Sequence, residues 1–385
     1  MKKVLYISYM FPPAGGVGRI RPVKFIKYLP ANGYKTHVLT VEKPFNALYD
    51  YNLIKEIPKN TTITRINYIE PAFWIKAHFW QSFLAYILYP FFLFPDAQII
   101  WFLPALFKAY KITKTEKIDL IFTSSSPISD HFIAYYLSKI TKIPWVADFR
   151  DEWTNNPTYK FPTPLHLFLA KIWEKKIIKQ AKQVILALPK LAEYLSKINP
   201  QKKYTGINNG YDHEYFQRKV KTKKRNYCEF LFAGRLYATA RDHDFIVAFN
   251  QLKLKKAKVK FLGQKKWVSH QESVKNIRQA DILLLILNPS PRPAHIPSKF
   301  YEYLAAKKPI LALAPRNTHV AQLIKKLKIG IVVEPRDKEA IKKAIETMYQ
   351  RWEKKLLKIS DIDISQYDRR NLTKKLAVVF NKATK

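Results

Sequence analysis

The sequence predicts an α/β chain of two doubly wound domains, each a parallel sheet with helices on both faces, with the two domains facing one another across a cleft. Three observations lead there. Short apolar runs alternate with amphipathic stretches, the alternation starts afresh after Asn209, and 385 residues exceed one ordinary core at roughly 100 to 200 residues per domain.

In the first series, residues 4–8, 37–40, 62–67, 120–123, 145–149 and 184–188 read as strands. Between them lie helical patterns such as 19–29 and 130–139. The second series has strands at 230–233, 259–262, 282–287, 310–314 and 330–333 and helices at 245–252, 299–306, 320–326 and 338–352. Domain boundaries follow at 1–206 and 207–364, with a final helical pattern over 365–385 expected to return to the first domain. The basic start MKKVLYISYMFPP reads as a first strand, since its apolar run is short and no small-residue cleavage site follows.

Composition narrows the classes. A hydrophobic content of 48% can fill two cores, so wholesale disorder is excluded. A single cysteine, Cys228, rules out an intramolecular disulfide framework and suits a reducing cytoplasm. The net charge of +39 is dispersed through helix faces and loops. Lysine drift, attraction to an anionic membrane and nucleic-acid binding each account for it. No recognised nucleic-acid motif occurs, so no nucleic acid is expected as partner.

Residues 72–107 are aromatic-rich, and 79–95 carry no charge. That stretch is short of the ~20 residues a spanning helix needs, and Pro90 interrupts it. With Lys76, His78, Lys108 and Lys111 flanking it, the segment fits an interfacial hairpin, a pocket lip for a lipid-borne acceptor, or a buried helix pair.

In doubly wound sheets ligands collect at the carboxyl ends of strands, so the loops there come first. The most informative is residues 280–313, ADILLLILNPSPRPAHIPSKFYEYLAAKKPILAL. A helix start presents unpaired N–H groups and about half a positive charge to a diphosphate. Ser298 is expected to cap that start, Lys299 adds a charge, and Glu302, one turn on, can accept from two vicinal hydroxyls. An ordinary capped helix with a solvated glutamate reads equally well from these residues alone.

PPAGGVGR follows the first strand, with Gly15 and Gly16 permitting close approach of a ligand and Arg19 supplying charge. Its glycines fall at 15, 16 and 18, which does not match G-x-G-x-x-G. In DFRDEW, Asp148 and Asp151 flank Arg150 and form either an ion network or a polar substrate contact. After TSSSPIS, His131 is an acid/base or hydroxyl-binding candidate, or else a cap or packing residue. In FAGRLYATARDHD, Gly234 lets Arg235 turn toward the cleft, and with Arg241 it could hold a diphosphate by forked hydrogen bonds. Asp242 and Asp244 read as helix-start charges, so no metal is assigned.

Taken together, these motifs and INNGYDHEYF resemble retaining glycosyltransferases of family 4, with the GT-B fold of two Rossmann-like domains, of the bacterial surface-polysaccharide type. The resemblance implies transfer from a nucleotide-diphosphate sugar, UDP or GDP, to a hydroxyl of a glycan or polyprenyl-linked acceptor, without cofactor or metal. Glu302 is similar to the family's ribose-binding glutamate, with Ser298, Lys299 and Phe300 near the diphosphate and Arg235 as the phosphate-binding arginine, Arg241 replacing a missing lysine. Gly15 and Gly16 resemble the loop that closes over the donor, and Asp148, Arg150, Asp151 and His131 would face acceptor or sugar. The family's E-x7-E pattern is broken here, because Ala294 stands where its first glutamate would be. A non-catalytic sugar-binding or assembly role is the alternative that this break keeps open. The expected location is cytoplasmic, on the inner face of the cytoplasmic membrane if the interfacial reading holds.

Overall fold

The computed structural model describes residues 1–44, 48–67, 93–157, 159–188, 190–217, 225–234, 242–264, 266–287 and 295–385. The chain divides into two compact units, 1–208 with 370–385, and 209–369.

The first unit carries β1 (Lys2–Ile7), α1 (Val17–Tyr28), β2 (Tyr34–Val41), β3 (Thr62–Ile66), α2 (Phe102–Thr115), β4 (Leu120–Ser125), α3 (Ser129–Thr141), β5 (Trp145–Phe149), α4 (Pro164–Gln180), β6 (Gln183–Leu186), α5 (Leu191–Ile198) and β7 (Tyr204–Gly206). Its sheet is parallel, seven-stranded, in the order β3-β2-β1-β4-β5-β6-β7. Such strands are covered on both faces, which is why they read as continuous apolar runs. One face packs Leu5, Ile121, Ala147 and Val184 against Ala105 and Ala109 of α2, Ile133 and Leu137 of α3 and Ile177 of α4. The other packs Val4, Phe122 and Val146 against Phe25 of α1 and Leu376 and Phe380 of the C-terminal helix α12 (Arg369–Ala383). Residues 365–368 fall outside that helix, because a short 3-10 turn, Ser365–Tyr367, precedes it.

The second unit carries α6 (His213–Gln217), β8 (Cys228–Ala233), α7 (Asp242–Gln251), β9 (Ala257–Leu262), α8 (His270–Gln279), β10 (Ile282–Ile286), α9 (Ser298–Ala306), β11 (Ile310–Leu313), α10 (His319–Lys326), β12 (Gly330–Val333) and α11 (Lys338–Glu353). Its parallel five-stranded sheet has the order β12-β11-β10-β8-β9. β10 and β11 are wholly buried, with Leu283 opposite Ile310.

Both units are therefore Rossmann-like α/β domains. β7, absent from the sequence reading, is a three-residue edge strand, too short and too exposed to show any periodicity. Of the aromatic segment 72–107, residues 72–92, including Lys76, His78 and Pro90, lie outside the described residues. The rest begins α2. No described helix is long and apolar enough to cross a membrane.

Gly330 begins β12 where only glycine fits: a Cβ there would come within 1.9 Å of the Ile310 carbonyl oxygen on the neighbouring strand. Backbone cannot yield as a flexible side chain can. Gly330→Ala is expected to cost about 3 kcal/mol or more of stability, read as a lowered urea midpoint with an unchanged slope.

Candidate functional site

In the second unit the sheet's carboxyl end is shaped by two glycines. Gly234, just past β8, has φ 114°, and its N–H donates to the Leu262 carbonyl at 3.0 Å. Gly263, past β9, has φ 88°, and a Cβ there would lie 3.7 Å from the Gly234 backbone. The Gln264 amide donates to the Gly234 carbonyl at 2.6 Å, fixing the turn. Beside it, the Tyr303 phenol accepts from the Ala233 N–H and donates to the Leu284 carbonyl, both at 3.1 Å. One hydroxyl thus bridges the ends of β8 and β10 beyond their paired residues, Phe230 with Ile282 and Leu231 with Leu283.

Lys299 lies in the first turn of α9. Its Nζ sits 3.7 Å from the Phe232 ring centroid and only 3.1 Å from where a Cβ on Gly234 would be. Burial lowers its pKa to about 7, against the pull of the Glu302 carboxylate. The ammonium is held where a compact anion could neutralise it. α9 supplies a second attraction, because no side chain caps its start and its first turn carries no acid.

Two expectations change here. Ser298 does not cap α9, since the helix already begins at Ser298 and the N-cap is Pro297, which has no side-chain acceptor. Phe300 is closed to a ligand: its side chain is buried in the core beside Tyr301, and its N–H donates to the Pro297 carbonyl at 2.9 Å. Glu302 is near the surface and contacts His270 Nε2 at 2.5 Å through Oε1. His270, the first residue of α8, also meets the Tyr215 ring edge-on at 5.2 Å. Sequence spacing gave no sign of that pairing, which joins residues 32 apart through the tertiary fold. Arg235, Arg241 and Ala294 lie outside the described residues. Asp242 and Asp244 belong to the first turn of α7.

The first unit keeps more of its polar groups to itself. Asp148, at the end of β5, is fully buried and accepts from Arg21 Nε and Nη2, both at 2.9 Å, and from the Ser124 hydroxyl at 2.7 Å. Arg21 also donates to the Asn208 carbonyl at 2.9 Å. A forked, desolvated pair of this kind locks α1 to β5 and engages both oxygens of Asp148, which favours an anchoring role over the expected catalytic one. The partner is not the neighbouring Arg150. That guanidinium donates to the carbonyls of Gly18, Ser125 and, at 2.6 Å, Ser126, tying the loop after β5 to the end of β4 and the start of α1. Asp151 follows it, partly exposed.

His131 is fully buried, its Nδ1 2.7 Å from the Thr123 hydroxyl, which also accepts from Trp145 Nε1 at 2.8 Å. Burial lowers its pKa to about 3. Burial disfavours the imidazolium, so the side chain is better suited to offering a hydrogen bond through Nε2 than to acid/base work. Asp130 beside it accepts from the Tyr9 N–H at 3.1 Å, and burial raises its pKa well above the usual range. The start of α3 is already occupied by a carboxylate: Asp96 accepts from the N–H groups of Ile128 at 2.5 Å and Ser129 at 3.0 Å. Gly15 is buried, its N–H on the Leu48 carbonyl at 2.5 Å, and Gly16 takes φ 101° to enter α1. Arg19 contacts Met10 Sδ at 2.8 Å, and burial, then Arg150, lowers its pKa.

Comparisons with known proteins agree with one another. The family model described as Glycosyltransferase Family 4 matches residues 15–215, over half of the chain, and that described as Glycosyl transferases group 1 matches 207–351. No curated protein sequence matches significantly. The fold is similar to a glycosyltransferase from Rickettsia africae at TM-score 0.66 and 16% identity, covering 100% of this chain and 99% of the other. It is also similar to a sucrose-phosphate synthase from Thermosynechococcus elongatus (0.60, 15%, 100% and 95%) and to the N-terminal domain of Candida albicans trehalose-6-phosphate phosphatase (0.62, 12%, 99% and 97%).

Breaking the Arg21–Asp148 pair tests its anchoring role. Asp148→Asn and Arg21→Met are each expected to destabilise by about 3–5 kcal/mol, because each leaves a partner desolvated and unpaired. In chemical denaturation, a loss under about 1 kcal/mol from both would contradict the assignment.

Proposed function

The chain belongs to Glycosyltransferase Family 4, and from that premise we propose that it moves a sugar from a nucleotide diphosphate, UDP or GDP, to a hydroxyl of a glycan or lipid-linked acceptor, with retention and without a metal. The observation that carries this reading is the arrangement at α9, where a desolvated lysine and an uncapped helix start converge beside Gly234. It offers positive charge at a helix start that no described side chain caps and whose first turn holds no acid, which suits a diphosphate.

The parts then divide as follows. Lys299 and the α9 N–H groups take the diphosphate, with Arg235 as a second phosphate contact carried by family resemblance. Glu302, oriented by His270, accepts from the ribose hydroxyls. The acceptor oxygen forms a bond to the anomeric carbon as the bond to the diphosphate breaks, and the acceptor proton passes to the departing phosphate oxygen. Positive charge around that oxygen lowers the barrier by meeting negative charge as it develops. Arg19, Arg150 and Asp151 are proposed on the acceptor side. Asp148 contributes by holding the loops there rather than by chemistry. His131 contributes at most a hydrogen bond from Nε2. Placement in surface-polysaccharide synthesis follows from the resemblance alone.

The depressed pKa of Lys299 gives the reading a sign. A diphosphate favours the charged ammonium, so above about pH 7 binding takes up a proton. Affinity for UDP or GDP is expected to fall as pH rises from 7 toward the ordinary lysine range, by up to about tenfold per pH unit, and to level off below 7. Calorimetry across that range reads it directly, and Lys299→Met should flatten the profile. With a verified donor, Lys299→Ala and Arg235→Ala are each expected to lower kcat/KM by about 10²–10³. Full turnover in both variants would sink the proposal, and binding of donor without transfer to any acceptor would favour a sugar-binding role.

A further inference from the structure

The helices α2, α3 and α4 form one layer on the first unit's sheet, their small and aliphatic residues turned to the core. Their outward faces are unusual for a surface. Leu103 and Phe107 on α2 are 70% and 63% exposed, Ile140 on α3 58%, and Leu165 and Phe168 on α4 61% and 60%. Each pair on a helix is three or four residues apart, so each lies on one stripe. The stripes are linked by a chain of ring contacts, Phe102 to Tyr136 at 5.5 Å, Tyr136 to Trp173 at 6.1 Å and Trp173 to Phe132 at 4.6 Å.

Charge on this layer has one sign. Eight lysines on the three helices are exposed, whereas their two acidic residues, Asp130 and Glu174, are buried. Lysine ammoniums also lie over aromatic rings on every helix: Lys111 over Phe107 at 4.4 Å, Lys139 over Tyr135 at 4.7 Å and Lys176 over Trp173 at 4.7 Å. Stems covering rings while the charged heads reach outward are the pattern of side chains at a polar–apolar boundary.

We propose that the α2–α3–α4 face docks on an anionic lipid bilayer. The occupant follows from the combination. Apolar stripes joined across three helices mark an interaction surface, and their leucines and isoleucine give a nucleic acid nothing to stack on. A second copy of the chain would set lysine against lysine. A bilayer with anionic headgroups takes both features at once, burying the aliphatic and aromatic tips at the acyl boundary while the lysines meet phosphate. No helix needs to span it. The inference stands apart from the transfer reaction, and it assigns the contact to a folded helical layer that extends well beyond residues 72–107.

Co-sedimentation of the full chain with phosphatidylcholine vesicles, with and without phosphatidylglycerol, tests it. Binding is expected only with the anionic lipid and should weaken steeply with salt. The double variant Phe107→Glu/Phe168→Glu, with its native circular dichroism retained, should lose about tenfold or more in binding. Replacing Lys108, Lys111 and Lys175 by Gln should weaken binding by roughly a hundredfold. These lysines are exposed, so folding is not at stake. No binding to phosphatidylglycerol vesicles, or unchanged binding by both variants, would overturn the proposal. So would a dimer in light scattering that the Phe variants dissociate, or an oligonucleotide retained by a protein that ignores vesicles.

Discussion

Parallel strands can be joined only by crossovers, and where a chain reverses the direction in which it lays them down, two adjacent loops must part. Each unit has one such place. In the first, β1 leads outward to β2 and β3, while β4 on its other side leads to β5, β6 and β7. In the second, β8 leads to β9, while its neighbour β10 leads to β11 and β12. The loops bearing Gly15 and Gly16, the serines before α3, Gly234 and the segment entering α9 all leave from those four strand ends. Ligands favour this position for a topological reason before any side chain is considered. Tyr303 marks the parting in the second unit, with its hydroxyl filling the place of ladder hydrogen bonds that β8 and β10 no longer make with each other.

What separates the two units is who neutralises the helix start. At α3, Asp96 fills the position, so the first unit is satisfied without a ligand. At α9 no described side chain does so, and Lys299 is pressed against Phe232 and Gly234, where its charge is costly. A desolvated positive centre at a strand's carboxyl end, only partly offset by Glu302, is stabilised when an anion arrives. The first unit's ions, Asp148 with Arg21 above all, serve shape: they hold α1 and the loops around Gly18 and Ser125 in register with β5.

Much of the architecture could be read from local sequence because buried parallel strands are continuous apolar runs. ILLLI and ILAL are strands in any reading, and the helix after IPSK starts within one residue of where its pattern places it. Lys299 and Glu302 were visible for the same reason, lying one turn apart on a single helix. Pairings between distant residues were not visible. Arg21 and Asp148 are 127 residues apart, His270 and Glu302 are 32, and Asp96 reaches Ser129 across 33, and nothing in composition or spacing joins them. DFRDEW suggested that Arg150 pairs with its neighbours, whereas Asp148, inside β5, is held by Arg21, and Arg150, just past the strand's last residue, reaches carbonyls instead. Ser298 and Phe300 show the same limit on a helix. One residue of difference at the N-terminus decides whether a hydroxyl caps, and rotation about the axis sends every third or fourth side chain into the core.

The central claim is that the start of α9 with Lys299 is a diphosphate site. A crystal structure with UDP or GDP tests it most directly. The account predicts the diphosphate against the first-turn N–H groups of α9, Lys299 Nζ within hydrogen-bonding distance of a phosphate oxygen, and the ribose hydroxyls on Glu302. A nucleotide bound elsewhere, for instance in the lysine- and arginine-lined cavity of about 370 Å³ where β11 and β12 begin, with Lys299 still packed on Phe232, would contradict it.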